Sequence, residues 1–169
     1  MISDEALMQE FQAGSSEAFD ELFVRYREPL YGFFRRRVPR RERAEDLTQE
    51  TFLAVIRASV RYEPRSQMRT YLYGIAMKLV SAERRKLNRE IAPTEAAVED
   101  VPDQALWVRQ ALERLDPTEK EILMLREYEQ LSYWEIAEVL GLQVNTVRSR
   151  LFRSRMALKG FLEPAGGVR

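Results

Sequence analysis

Apolar residues recur at helical spacing along most of this chain. Leu7, Met8 and Phe11 make a short apolar face that Gly14 closes. Ser16 is placed to cap a second helix, with a stripe of Phe19, Leu22, Phe23, Tyr26, Leu30 and Phe33 or Phe34. That is the i, i+3, i+4, i+7 pattern of an amphipathic helix. Pro29 inside it predicts a kink, because its ring clashes with the preceding turn. A third helix is predicted from Arg43 to Ala58, with Leu47, Phe52, Val55 and Ile56 inward. A fourth is predicted from Gln67 to Asn88, with Tyr71, Leu72, Ile75, Leu79 and Val80 inward. No run alternates as a strand would, and no segment repeats.

The pattern breaks from Ile91 to Pro102, where Pro93, Pro102, small residues and acids replace any regular apolar face. Such a stretch reads as a linker. The expected fold is therefore all-α: two small helical domains, 1–90 and 103–169, joined by an acidic linker at 91–102.

Helix signals are densest in the second half. Leu106, Leu112 and Leu115 share a face. Asp116-Pro117-Thr118-Glu119 combines an acidic N-cap, Pro at the first helical position and Glu at the third. Ile122, Leu123 and Leu125 follow. Ser132-Tyr133-Trp134-Glu135 is a capping box leading into Ile136, Ala137 and Leu140, and Gly141 supplies the positive φ that ends the helix. A last helix starts near Asn145, with Val147, Leu151 and Leu158 inward. A short helix, a Gly turn and an Arg-bearing helix make a helix-turn-helix, although an ordinary helical hairpin has the same outline.

Composition narrows the chemistry. The 169 residues include no Cys and no His. That removes disulfides, thiolate nucleophiles, imidazole ligands and the Ser-His-Asp triad. No G-x-G-x-x-G or G-x-x-x-x-G-K occurs. No enzymatic activity, cofactor or metal is expected. No apolar run approaches the roughly 20 residues of a membrane span. Met1 to Gln12 holds three acids and no base, unlike a signal peptide. A cytoplasmic location is the expectation.

The formal charge is zero, from 27 basic and 27 acidic side chains. They are segregated. Basic runs lie at Arg35–Arg43, at Arg84, Arg85, Lys86 and Arg89, and from Arg148 to Lys159. Acids dominate Glu90 to Asp103, and eight acids face three bases from Glu113 to Glu138. Blocks further apart than a screening length of about 8–10 Å do not cancel locally. Each basic run by itself is equally well a solvated helix face. On the last helix, however, Arg148, Ser149, Phe152 and Arg153 share one face, opposite Val147, Leu151 and Leu158. Arg can bond guanine bidentately, and an aromatic edge can pack on a thymine methyl. Arg150 and Arg155 lie off that face, as phosphate contacts or partners of acids.

Residues Leu131 to Leu140, LSYWEIAEVL, followed by Thr146 to Arg153, TVRSRLFR, resemble the −35-reading domain of bacterial RNA polymerase sigma factors, in particular the small extracytoplasmic-function (ECF) branch. Ala44 to Phe52, AEDLTQETF, resembles the helix that docks on the polymerase clamp. Thr70 to Ala76, TYLYGIA, resembles the segment that melts and reads the −10 element. The resemblance spans Asp4 to Leu162.

The resemblance implies partners in core RNA polymerase and promoter DNA, with an anti-sigma factor as regulator. It implies −35 contacts by Thr146, Arg148, Ser149, Arg150, Phe152 and Arg153. It implies −10 contacts by Tyr62, Arg65, Arg69, Tyr71, Tyr73, Lys78, Arg84 and Arg85. Rings beside cations suit unstacked bases, although rings such as Tyr71 could equally be core. It assigns Asp46, Gln49, Glu50 and Leu53, one helix face by spacing, to the clamp; without the resemblance they would be an ordinary exposed face. The chain departs from the usual pattern at Tyr71, where Trp is usual, at Lys78, where Asn is frequent, and at Ala82, where Asp is frequent. An unusual −10 preference is expected. A sigma-like decoy for an anti-sigma factor and an autonomous helix-turn-helix repressor remain as alternatives.

Overall fold

The computed structural model describes residues 1–65, 67–89 and 103–163. Among them every regular element is helical. The chain divides into two compact units, Met1–Ala96 and Ala97–Arg169. The expected linker at 91–102 lies outside the described residues.

The first unit holds α1 (Asp4–Gln12), α2 (Ser16–Arg35), α3 (Arg41–Ala58), a short 3-10 turn (Ser59–Arg61) and α4 (Met68–Arg89). Gly14, at φ +108, lets α1 turn directly into α2. The N-cap of α2 is Ser15, one residue before the expected Ser16: its hydroxyl accepts from the Ala18 amide at 3.3 Å. α2 then runs through Pro29 to Arg35 as one element. α1 packs on α2, α2 on α3 and α3 on α4. Met8, Leu30, Phe33, Phe34, Leu47, Met68 and Leu72 are fully buried at the centre.

Two inward stripes differ from expectation. On α3 the buried arc is Ala44, Leu47, Thr48, Thr51, Phe52 and Val55, which leaves Ile56 outside. Thr48 and Thr51 can be buried because each hydroxyl donates to the carbonyl four residues back, on Ala44 and Leu47. On α4 the buried arc is Met68, Leu72, Tyr73, Ala76, Val80 and Glu83. It shares Leu72 and Val80 with the expected stripe of Tyr71, Leu72, Ile75, Leu79 and Val80 but is rotated by about one residue, which leaves Tyr71, Ile75 and Leu79 half-buried. Arg43 pairs with the buried Glu83 at 2.8 Å, and Tyr73 packs on Phe33 with ring centroids 5.5 Å apart. Those tertiary contacts, rather than local hydrophobicity, set the rotation.

The second unit holds α5 (Asp103–Glu113), α6 (Pro117–Glu127), α7 (Tyr133–Leu140) and α8 (Val144–Leu162). Its capping agrees with the sequence. Asp116 accepts from the amides of Thr118 and Glu119, with Pro117 opening α6. Ser132 and Glu135 form a complete capping box, and Gly141 at φ +66 closes α7. α8 starts with Gln143 at the cap position and no side-chain cap bond. It packs against α5, α6 and α7. Ile122, Leu125, Leu131, Ile136, Val147 and Leu151 are its innermost residues. Leu106 is exposed rather than inward, and Leu158 only half-buried.

Candidate nucleic-acid interface

In the second unit α7, the Gly141 turn and α8 form a helix-turn-helix. Val147, Leu151 and Ser154 turn inward. Arg148, Ser149, Phe152 and Arg153 are all exposed, so the face read from the sequence is one surface. Phe152 is 66% exposed, which leaves its ring available to a partner. Thr146 and Arg150 lie half-buried on its flanks. The Ser149 hydroxyl donates to its own helix, at the Thr146 carbonyl.

The arginines around this face differ in their commitments. Arg155 is held by Glu127 on α6, with Nη2 at 2.7 Å and Nε at 3.2 Å. That hydrogen bond raises its pKa further above the ordinary guanidinium value. Its expected role as partner of an acid is thereby met. Arg148 lies over the Tyr133 ring, 5.9 Å from the centroid, and Arg126 lies 5.2 Å from it. Those distances are at the edge of useful cation–π attraction. Arg126 also donates to the Leu131 carbonyl at 2.9 Å, so it anchors the turn ahead of α7.

Sequence reasoning passed over Trp134 as a surface residue. It is 72% exposed at the start of α7 and lines a shallow depression of about 550 Å³ with Ala137, Glu138, Leu142, Asn145 and Arg148. An exposed Trp two positions into the first helix of a helix-turn-helix was the available signal. The first helix of such motifs crosses the DNA backbone, and an indole N–H is a donor without competing acceptor character.

In the first unit the rings separate. Tyr73 is 2% exposed and Tyr62 is 7% exposed. Neither presents a face to a base, which corrects the expectation for both. Tyr73 belongs to the core with Phe33. Tyr62 packs edge-on against Tyr71, with centroids 5.4 Å apart. Burial raises the pKa of both Tyr62 and Tyr71 above the ordinary phenol value. Tyr71 is half-buried and heads an outward stripe with Ile75, Lys78, Ala82 and Arg85, spaced i, i+4, i+7, i+11 and i+14. Its first two members are half-buried and its last three exposed. The residues that depart from the family pattern thus share one surface line. Arg65 is exposed and pairs with Glu63 at 2.6 Å, Arg69 is half-buried, and Arg84 is exposed.

The Arg35–Arg43 run is less available than its charge suggests. Arg37 stacks on Phe33 at 3.7 Å and donates to that residue's carbonyl. Arg43 reaches Glu83 at 2.8 Å, Glu50 at 3.2 Å and Asp46 at 3.7 Å. The bond to Glu83 is the main reason its pKa is raised.

Asp46, Gln49 and Leu53 are exposed on α3, with Glu50 half-buried beside them. Ile56 extends this face on α3, and Val60, on the 3-10 turn that follows, is 88% exposed. Gln49, Leu53, Ile56 and Val60 follow i, i+4, i+7 and i+11, so the polar face expected from the sequence has an apolar extension. The spacing of Gln49, Leu53 and Ile56 is its signal in the sequence, where Ile56 reads as inward.

This pair of units has close counterparts. The family model for Sigma-70 region 2 matches residues 22–90, and that for Sigma-70, region 4 matches residues 105–158. The RNA polymerase sigma-H factor of Pseudomonas aeruginosa is 33% identical, over 95% of this chain and 94% of its own length. The ECF RNA polymerase sigma-E factor of Haemophilus influenzae is 31% identical, over 96% and 97%. The chain belongs to the ECF-type sigma factors.

Among solved structures, CnrH in complex with the cytosolic domain of CnrY is similar, with a TM-score of 0.75, 25% identity and coverage of 96% of this chain and 99% of that one. The RpoE of Bartonella quintana shares the fold at a TM-score of 0.69, with 23% identity over 88% of this chain and 98% of that one. As an ECF-type sigma factor, the protein works with core RNA polymerase, recognises −35 and −10 promoter elements and helps initiate transcription. Among the described residues no helix is long and apolar enough to cross a membrane.

Proposed function

We propose a division of this work between 1–90 and 103–169, joined by a linker at 91–102. In the second part Arg148, Ser149, Phe152 and Arg153 read −35 base edges, while Thr146, Arg150 and Trp134 contact the flanking backbone. In the first part Tyr71 serves as the stacking platform for an unpaired −10 base. Arg65, Arg69 and Lys78 neutralise its backbone, and Arg84 and Arg85 meet the duplex upstream. Asp46, Gln49, Glu50 and Leu53 dock on the polymerase clamp, and the exposed Ile56 and Val60 extend that contact.

The observation that carries the reading is the exposed Arg148–Phe152–Arg153 surface on a capped helix-turn-helix. The work is binding and strand separation, with no bond made or broken by the protein. It is carried out in the cytoplasm, where polymerase and chromosome are. An anti-sigma partner is part of the proposal, supported by the similar CnrH having been solved with the cytosolic domain of CnrY.

Arg148→Ala or Arg153→Ala tests the −35 assignment. Each should cost about 1–3 kcal/mol of promoter affinity in the holoenzyme and relax selection at one −35 position. Transcription from a promoter library randomised at −35 reads this directly. An unchanged −35 profile in both variants would reject the assignment.

A further inference from the structure

The described residues between the 3-10 turn and α4 are Tyr62 to Arg65 and Gln67. Glu63, Pro64, Arg65 and Gln67 are exposed, and the Arg65–Glu63 pair is a surface ion pair of the kind that contributes little. Both shoulders are tied to α1. On one side Gln12 Nε2 donates to the carbonyl oxygens of Ser59 at 2.6 Å and Tyr62 at 2.8 Å. On the other, Glu5 Oε1 accepts from the Met68 backbone amide at 2.9 Å. That amide is one of the N–H groups a helix start leaves without a partner, and the first turn of α4 carries no acid of its own.

Glu5, Met8 and Gln12 are spaced i, i+3 and i+7, so they share one face of α1, with Met8 fully buried between the two polar ends. The consequence reaches Tyr71. Gln12 holds the backbone of Tyr62, and the Tyr62 ring backs the Tyr71 ring at 5.4 Å. Among the described residues the buried Tyr62 hydroxyl has no hydrogen-bond partner, so backbone and ring packing keep it in place.

We propose that α1 is a brace for −10 reading, with Gln12 and Glu5 as positioning residues that set where Tyr62, Met68 and, through Tyr62, Tyr71 meet an unpaired base. The proposal rests on the −10 assignment above, and it adds residues that lie about 50 to 60 positions away in sequence from those they position.

The test uses holoenzyme and two promoter libraries, one randomised at −10 and one at −35. Gln12→Glu keeps the size and puts a carboxylate against two carbonyl oxygens. Glu5→Leu removes the acceptor, and Glu5→Gln retains one. Gln12→Glu and Glu5→Leu should each reduce discrimination among −10 bases by about three- to tenfold, as expected for lost hydrogen bonds to backbone. The −35 profile should stay the same, and Glu5→Gln should restore the −10 profile. A uniform loss of activity over all −10 sequences, tracking a lowered melting temperature, would overturn the brace and leave Gln12 and Glu5 as fold stabilisers. Arg65→Ala and Tyr71→Ala run in parallel. If they change the −10 profile while the α1 variants do not, the brace alone fails. If they too leave the profile unchanged, the −10 assignment fails, and the brace with it.

Discussion

The two units hold their proposed reading surfaces in different ways. In the second, the surface is one helix placed by signals close by in sequence: Ser132 with Glu135, then Gly141, then α8. In the first, the surface is assembled from distant segments. Glu5 reaches Met68, Gln12 reaches Tyr62, and Arg43 reaches Glu83. A locally specified surface can be altered residue by residue with local consequences. A surface assembled at long range should respond at a distance.

The strongest way to break the comparison is Arg43→Ala. Removing one partner of a buried pair leaves the other charge buried, which costs about 3–5 kcal/mol when both are fully inside. Glu83 is buried and Arg43 about a third exposed, so solvent screens part of this and roughly 2–3 kcal/mol is expected. Hydrogen exchange of the α3 and α4 amides should speed accordingly, with α7 amides as the comparison. Glu83→Gln, which keeps an acceptor, should cost less. Equal protection of α3 and α4 in wild type and Arg43→Ala would show that the long-range pair does not hold the unit together.

The same contrast explains what was legible beforehand. The all-α class, every helix within a few residues, the caps at Asp116 and Ser132 and the exposed Arg148–Arg153 face of α8 followed from periodicity and capping, which are local. The rotation of α4 did not. Tyr71 and Ile75 are apolar enough to read as core, yet they begin an outward stripe that ends in Lys78, Ala82 and Arg85. Tyr73 is polar enough to read as a contact, yet it packs on Phe33. Periodicity reports that a helix has an apolar side. Where two neighbouring stripes are both apolar, only the partners, here Phe33 and Arg43, decide which turns in. Gln12 and Glu5 were silent for the same reason, since a Gln and a Glu on an amphipathic helix carry no mark of where their hydrogen bonds go.

A smaller effect sharpens the other side of the comparison. Ser132→Ala removes the acceptor for the Glu135 amide, bonded at 3.1 Å, and half of the capping box. It should destabilise the second unit by about 1 kcal/mol. Gly141→Ala meets no atom that would clash with the new Cβ, so its cost is the left-handed backbone alone, about 1–2 kcal/mol. Both Trp residues of the chain, Trp107 and Trp134, lie in this unit, so tryptophan fluorescence during urea unfolding follows it. The midpoint should fall in both variants. The −35 base preference should stay the same in holoenzyme, because the reading side chains are untouched. A changed preference would mean that the turn does more than support α8.

The smallest effect at neutral pH, and a large one in alkali, comes from the phenols of the first unit. Tyr26 is buried and donates to the Asp4 carboxylate, so its pKa is raised well above 10.0, first by burial and then by that bond. Tyr62 and Tyr71 are raised by burial. In the unfolded chain these phenols ionise near their ordinary value of about 10. The folded protein must hold them neutral to higher pH. Their contribution to stability is therefore complete below about pH 10 and lost as pH rises from there towards the folded values, because the unfolded state releases its protons first. Alkaline titration followed by tyrosinate absorbance should show a delayed, unfolding-coupled phase. Tyr26→Phe should shrink that phase and flatten the fall in stability above pH 10, while also removing one of the two bonds by which Asp4 ties α1 to α2, the other being the 2.7 Å pair with Arg25. If the phase survives Tyr26→Phe at full amplitude, it comes from Tyr62 and Tyr71 and the buried Tyr26–Asp4 pair does not set the alkaline limit of the unit.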